Sequence, residues 1–240
     1  MNKRSSRASP ARRSKVATKA APKAAGKAQP RFPFGQAVLP PGVVPEGTRR
    51  RILEAALQLF ASQGFHGVSV RDLAQELGLQ PSALYAHFPS KEHVLAELAR
   101  VGYAAHADIL EEAVGKSGDN PIEQLRALVR AHTVVHATYP HLAVIVHEEM
   151  RALTNDLAAP ALALRARSSA FLLQVIEKGI AQGCFSPPDK IATAAAIAAM
   201  GVRIPYWYDA TADFDFNALA EVHVELCLRM LGVSIRAANL

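Results

Sequence analysis

Two short amphipathic segments that meet at Gly78-Leu79 constrain this chain more than any other feature. Ile52, Ala56, Leu59 and Phe60 fall at i, i+4, i+7 and i+8 and mark a first helix, which Gly64 stops. After Gly67-Val68, Ser69 stands three residues before Asp72, close to a capping box that opens a second helix and sets a carboxylate against its dipole. Leu73, Ala74 and Leu77 form the inward face of that helix, and Gly78 ends it after about two turns. A proline costs nothing in a first helical turn, so a third helix starts at Pro81 or Ser82. Leu84 and Phe88 anchor it and leave the opposite side free. Two helices joined by a tight glycine turn make a helix-turn-helix, whose second helix suits a major groove. Small residues there let it approach base edges, and Tyr85, His87 and Lys91 lie at the border, where phosphates would flank the groove.

The run Ser69-Val70-Arg71-Asp72-Leu73-Ala74-Gln75-Glu76-Leu77-Gly78, followed by Ala83-Leu84-Tyr85-Ala86-His87-Phe88-Pro89-Ser90-Lys91-Glu92, resembles the DNA-binding domain of the TetR family of bacterial repressors. The resemblance implies that Arg71 and the face of Gln80, Pro81, Ser82 and Ala83 approach base edges. It further implies that Tyr85, His87 and Lys91 grip phosphates and that Thr48, opening the first helix, adds a backbone contact. Gln80 stands where many relatives carry a short hydroxyl residue, so the cap of the third helix and one contact are left open. Arg71 suits a solvated surface charge equally well.

Charge divides the chain unevenly. Residues 1 to 45 hold ten Lys or Arg and no acid, whereas the remainder carries 17 basic and 21 acidic residues. The tail is rich in Ala, Pro, Ser and Lys and is expected to be disordered. It reads either as a solvating linker or as a cationic arm that follows the phosphate backbone; a transit peptide fits poorly ahead of a bacterial-type block. The expected division is therefore a basic tail at 1–45, a helix-turn-helix domain at 46–91 and a helical ligand-binding and dimerisation domain at 92–240, all-α throughout. The apolar stretch Ile191 to Val202 is well short of the ~20 residues a membrane span needs. Cys184 and Cys227 lie far apart, with neither metal-ligand spacing nor a disulfide framework, which fits a reducing cytoplasm, with the protein on the nucleoid when bound to DNA.

From Ser90 onward the pattern is helical, with breaks expected at Gly115 to Asn120, Tyr139-Pro140, Asn155 to Pro160, Gly183 to Pro188 and Tyr208 to Asp215, giving about six helices. Ala192, Ala195, Ala196 and Ala199 permit close helix approach, and Leu219, Val222, Leu226 and Met230 form an apolar stripe. In the family that this chain resembles, helices at this position build the four-helix bundle of a homodimer, while core packing within one chain is the plain alternative. The strings beginning at His147, Phe171 and Arg203 are similar to the branch of TetR regulators that controls lipid and steroid catabolism, which implies an acyl or steroid CoA thioester as the inducer. Independently, a pocket of Phe171, Val175, Tyr206 and Trp207 with Arg151 or Arg203 nearby, and His147 from the first string, would suit an apolar ligand bearing an anionic group; simple core packing is again the alternative. Pro205 either kinks its helix or ends it.

His132 and His136 lie four apart on one helical face, a spacing that zinc ligands use, but third and fourth ligands cannot be placed from sequence and no metal or other cofactor is assigned. Glu148 and Glu149 are adjacent and point apart on a helix, and no nucleophile elbow or activated cysteine motif appears, so no enzyme is expected. The sequence thus points to a sequence-specific DNA-binding regulator, a repressor released from double-stranded operator DNA by a small molecule. The rival readings are a nucleoid-type protein that coats DNA with little sequence preference, and a metal-responsive regulator.

Overall fold

The computed structural model describes residues 37–208 and 215–233. Nine α-helices and no strand occur among the described residues: α1 (Thr48–Gln63), α2 (Val70–Glu76), α3 (Pro81–Tyr85), α4 (Lys91–Gly115), α5 (Pro121–Thr138), α6 (Pro140–Glu148), α7 (Asn155–Ala181), α8 (Lys190–Arg203) and α9 (Phe216–Met230).

Local chemistry sets the first three. Gly64, at φ 74°, ends α1 and donates its N–H to the Phe60 carbonyl at 2.9 Å. Ser69 Oγ accepts from the Asp72 N–H at 3.2 Å while Asp72 Oδ2 accepts from the Ser69 N–H at 2.7 Å, a complete capping box worth about 1 kcal/mol at its Ser end. The bonds from Ser69, side chain first, hold the Asp72 carboxyl below its ordinary range. Gly78, at φ 65°, stops α2: its N–H reaches Gln75 at 3.1 Å and the Leu79 N–H reaches Ala74 at 2.8 Å, closing a Schellman motif. Pro81 opens α3, and Gln80 caps it without a side-chain bond. Leu84 and Phe88 are buried with Ile52, Leu53, Leu57 and Leu73 in one core, each such side chain contributing roughly 1.5–3 kcal/mol.

Two expectations change and one alternative is settled. The end of the expected disordered tail is packed: Leu39 and Val44 are buried in the first core, and Arg50 donates to the Val44 carbonyl at 3.1 Å. Ala37-Val38-Leu39 has enough apolar surface to dock, whereas residues 1–36, which carry the basic charge, lie outside the described residues. The break expected at Asn155 to Pro160 is instead the opening of α7, with the true break in a 3-10 turn at Met150–Ala152 just before it. Pro160 forfeits one ladder bond there, and burial of Ala158 and Ala161 on either side of it offsets the loss. Between the alternatives for Pro205, the helix ends: α8 stops at Arg203 and the chain turns through a 3-10 segment at Ile204–Tyr206.

Two large apolar cores and a small cluster of Ala137, Ile204, Tyr208 and Leu219 occur among the described residues, and α4 belongs to both large ones. Val94, Leu95 and Leu98 join it to α1–α3 and α6, while Leu110 and Val114 join it to α5, α7, α8 and α9. Gly102 lets α4 approach α6 closely, since a Cβ there would lie 3.2 Å from Val146 Cγ2.

Candidate functional site

The outer face of the helix-turn-helix presents Arg71, Gln80, Ser82, Tyr85 and His87 to solvent, with Thr48, Pro81 and Ala83 half-buried beside them. Thr48 is the first residue of α1 and Gly47 its N-cap. Tyr85 is 52 % exposed, a large ring that α3 carries outward with nothing of its own core to cover it. Lys91, expected at a phosphate, is also engaged within the chain. Its Nζ donates to the Phe65 carbonyl at 2.8 Å and the Val68 carbonyl at 2.7 Å and sits 4.2 Å from the Phe65 ring centroid, so the ammonium fastens the α1–α2 loop to the start of α4.

Arg49 does comparable work without any signal in the sequence. Its guanidinium donates to the His87 carbonyl at 3.1 Å, lies 4.2 Å from the Phe88 ring centroid and pairs with Glu97 at 3.3 Å. Glu97 also accepts from Arg100 at 2.8 Å; that bond, ahead of the charges of Arg100 and Arg49, holds its carboxyl below the ordinary range despite partial burial. Arg49 thereby ties α1, the end of α3 and α4 together.

A cavity of about 420 Å³ opens between α4, α5, α6, α7 and α8, within the ~300–1,000 Å³ of small-molecule sites. Leu110, Leu128, Val146 and Leu172 supply apolar wall, and Tyr103, Ser168, Arg165 and four histidines supply polarity. Of the residues expected to line a pocket, His147 alone does so. Val175 is buried in the second core and Phe171 packs against it. Arg151 is exposed in the turn before α7. Pro205 ends α8, and in the turn that follows Ile204 and Tyr208 are buried, Tyr206 donates to Glu148 Oε1 at 2.8 Å, Arg203 stacks 4.3 Å from the Tyr206 ring centroid and Trp207 is 55 % exposed. The cation at the cavity is Arg165, on α7, whose charge acts on the nearby Tyr103 hydroxyl.

His132 and His136, one turn apart on α5, meet His106 from α4. Backbone acceptors fix the tautomers of two rings. His132 Nε2 donates to the Ala198 carbonyl at 3.0 Å, so His132 Nδ1 accepts from His106 Nε2 at 2.9 Å, and His106 Nδ1 accepts from Ser168 Oγ at 3.2 Å. His136 Nδ1 donates to the His132 carbonyl at 2.8 Å. Burial, reinforced by neighbouring imidazoles, pushes His106, His132 and His136 down to about 3, and burial pushes His147 to about 4 with Arg165 assisting. All four rings are therefore neutral at pH 7.

On the outer surface, the expected stripe of α9 divides. Leu219 is buried and Met230 half-buried, whereas Val222 and Leu226 are 44 % and 45 % exposed. On α8, Ala192, Ala195, Ala196 and Ala199 are exposed, with Ala195 and Ala199 at the rim of the cavity, and Ile191 is 57 % exposed. The inward face of α9 is instead Leu219, Ala220, His223, Val224, Cys227 and Leu228.

Comparison with known proteins places these features among regulators. A family model described as bacterial regulatory proteins, tetR family, matches residues 52–98, and one described as tetracyclin repressor-like, C-terminal domain, matches residues 118–231. The HTH-type transcriptional repressor KstR2 of Mycobacterium tuberculosis is 29% identical over 144 residues, 58% of this chain and 70% of its own length. The crystal structure of PfmR, a TetR family transcriptional regulator from Thermus thermophilus, is 30% identical with a TM-score of 0.69, covering 75% of this chain and 98% of PfmR. AibR, crystallised with isovaleryl coenzyme A and operator DNA, shares the fold at 24% identity and a TM-score of 0.68, over 74% of this chain and 96% of AibR.

Proposed function

This chain belongs to the TetR family of bacterial regulatory proteins and is a DNA-binding transcriptional regulator, and from that premise we propose that it is a repressor released by a large apolar molecule with an anionic group, such as an acyl-CoA thioester. The observation that carries the reading is the continuity of α4, whose first turns pack on the helix-turn-helix and whose middle, at Gly102, Tyr103 and His106, forms cavity wall. A ligand there acts on the same helix that seats the DNA-reading unit.

Arg71 and the Gln80, Pro81, Ser82 and Ala83 face read bases in this proposal, with Tyr85, His87 and Thr48 on the backbone. Two copies paired through α8 and α9 present their α3 helices about one helical turn of DNA apart, roughly 34 Å. The exposed Val222 and Leu226 of α9 and Ile191 of α8 support that pairing. Apolar walls would receive the acyl portion and Arg165 an anionic group. AibR's crystallisation with isovaleryl coenzyme A, and the description of KstR2 as a ketosteroid regulator, favour an acyl or steroid thioester over other apolar anions. Release follows if the ligand binds better to a conformation whose two α3 helices are wrongly spaced, by no more than that difference in affinity. Among the described residues no helix is long and apolar enough to cross a membrane, and we place the protein in the cytoplasm, on the nucleoid when bound to DNA. The relatives are transcriptional regulators, and no catalysis is assigned.

The test is a fluorescence-anisotropy titration on the DNA upstream of the protein's own gene against scrambled competitor, repeated with acyl-CoA and steroid-CoA panels. Competitor-resistant binding that a thioester reverses, with a rise in melting temperature from ligand binding, is the expected result. Equal affinity for both DNAs favours a nonspecific DNA coater, and specific binding that no thioester changes removes the inducer class.

A further inference from the structure

We propose that His106, His132 and His136 form a binding site for one divalent transition-metal ion of the zinc class, leaving one coordination position open to the cavity. The three ligating nitrogens already lie within 4.8 Å of one another, in rings whose centroids are 4.5–5.3 Å apart. A second set of contacts orients each ring for this purpose. His132 Nε2 is held by the Ala198 carbonyl and His136 Nδ1 by the His132 carbonyl, while His106 Nδ1 faces Ser168 Oγ. These leave His132 Nδ1, His136 Nε2 and His106 Nε2 for an ion. An imidazole that donates its other N–H to an oxygen is the usual form of a histidine metal ligand.

Ion entry asks for little rearrangement. The proton now shared between His106 and His132 moves to His106 Nδ1, Ser168 Oγ becomes its acceptor, and the 2.9 Å N···N separation widens to about 3.3 Å, as two ligands about 2.05 Å from a tetrahedral ion require. Gly201 makes room for the arrangement, because a Cβ there would lie 2.2 Å from His132 Nε2.

The donor set also decides what the fourth position takes. Three neutral imidazoles leave both charges of the ion uncompensated beside apolar walls, so an anion, either a carboxylate or thiolate of a ligand or a hydroxide, is favoured there. The ion joins α4 to α5 across the cavity and does not depend on the acyl-thioester reading, since it binds with or without an organic ligand.

The experiment uses the full, untagged chain, stripped with a chelator and studied without DNA or acyl-CoA. Zinc is titrated by calorimetry, and cobalt is added to follow its visible absorption. One ion per chain, the intense bands of four-coordinate cobalt and an X-ray absorption spectrum with three imidazole nitrogens are expected. Ser168→Ala should weaken zinc binding roughly 10–100-fold by removing one orienting partner, and His106→Leu should abolish the site. If His106→Leu fails to fold, Ser168→Ala and the absorption spectrum of the unaltered chain decide. No stoichiometric ion at micromolar zinc, sulfur scattering that implicates a cysteine, or affinity unchanged by the substitutions would each overturn the proposal.

Discussion

Gly201 and His132 occupy neighbouring helices so closely that the ring of one fills the space where the other would carry a side chain: a Cβ on Gly201 would lie 2.2 Å from His132 Nε2. Gly201→Ala must therefore push His132 off the Ala198 carbonyl or part α8 from α5. Overpacking of this kind costs about 1–3 kcal/mol. The urea midpoint should fall, while Gly115→Ala, with open space at the end of α4, should leave stability unchanged or raise it by about 0.4–1 kcal/mol. Equal effects at the two glycines would contradict the packing described.

Lys91 separates a structural from an electrostatic role. Lys91→Met leaves the carbonyls of Phe65 and Val68 without their ammonium donor and should destabilise the chain by about 1–3 kcal/mol. A lysine that neutralises a phosphate would also lower the slope of log K against log[salt] by about 0.9. The expected result is a lower melting temperature with an unchanged slope.

Arg71→Ala has the opposite signature. The side chain is exposed, so stability should stay within about 0.5 kcal/mol. A bidentate guanine contact would make the loss about 1–3 kcal/mol in operator binding and relax preference at one base position. Selection of binding sites from a random DNA pool, with and without the substitution, reads this directly.

Acid should weaken the metal-free protein in a window that the histidines define. His106, His132 and His136 titrate near 3 and His147 near 4 when folded, against 6.5 for a free imidazole, in surroundings that include Tyr103, Arg165 and His223. Folded-state values below the unfolded ones mean that the unfolded chain binds more protons. Stability is thus fully present above about pH 6.5 and is lost as pH falls toward about 3, the His147 share by about 4, by up to about 1.4 kcal/mol per pH unit for each ring. Urea midpoints between pH 7 and 5, above the range of the depressed carboxylates, should drop steeply, and a flat profile would show that the rings are solvated.

Val222 and Leu226 give a test of assembly. Leu226→Glu alters a side chain that is 45 % exposed and outside the inward face of α9, and it places a charge in the proposed pairing face. Sedimentation should show a dimer for the unaltered chain and monomer for the variant, with operator affinity lost in parallel.

Residues whose partners are close in sequence were the legible ones. Ser69 with Asp72, Gly78 after α2 and Pro81 opening α3 all act within a few positions, and all stand where spacing put them. The cavity was illegible for the converse reason. Arg165 and Ser168 reach it from α7, and His106 joins His132 across 26 residues, so no local period brings them together. Aromatic content was a poor guide: Tyr206 and Trp207 look like pocket residues until Pro205 ends α8 and sets Tyr206 against Glu148 and Trp207 in solvent. On α9 the period was right and the phase ambiguous, since a helix with apolar residues on two sides can bury either one alone.

The length of α4 sets how small a ligand-driven movement can be and still matter. His106 and Lys91 are fifteen residues apart in one uninterrupted helix, about 22 Å at 1.5 Å per residue. A tilt of about 5° at the histidine end would carry the lysine end through about 2 Å, and a two-fold partner would add its own share. Neither protomer has to unfold or re-pack for the two reading heads to fall out of step with the DNA repeat; the gearing lies in a helix that has no joint.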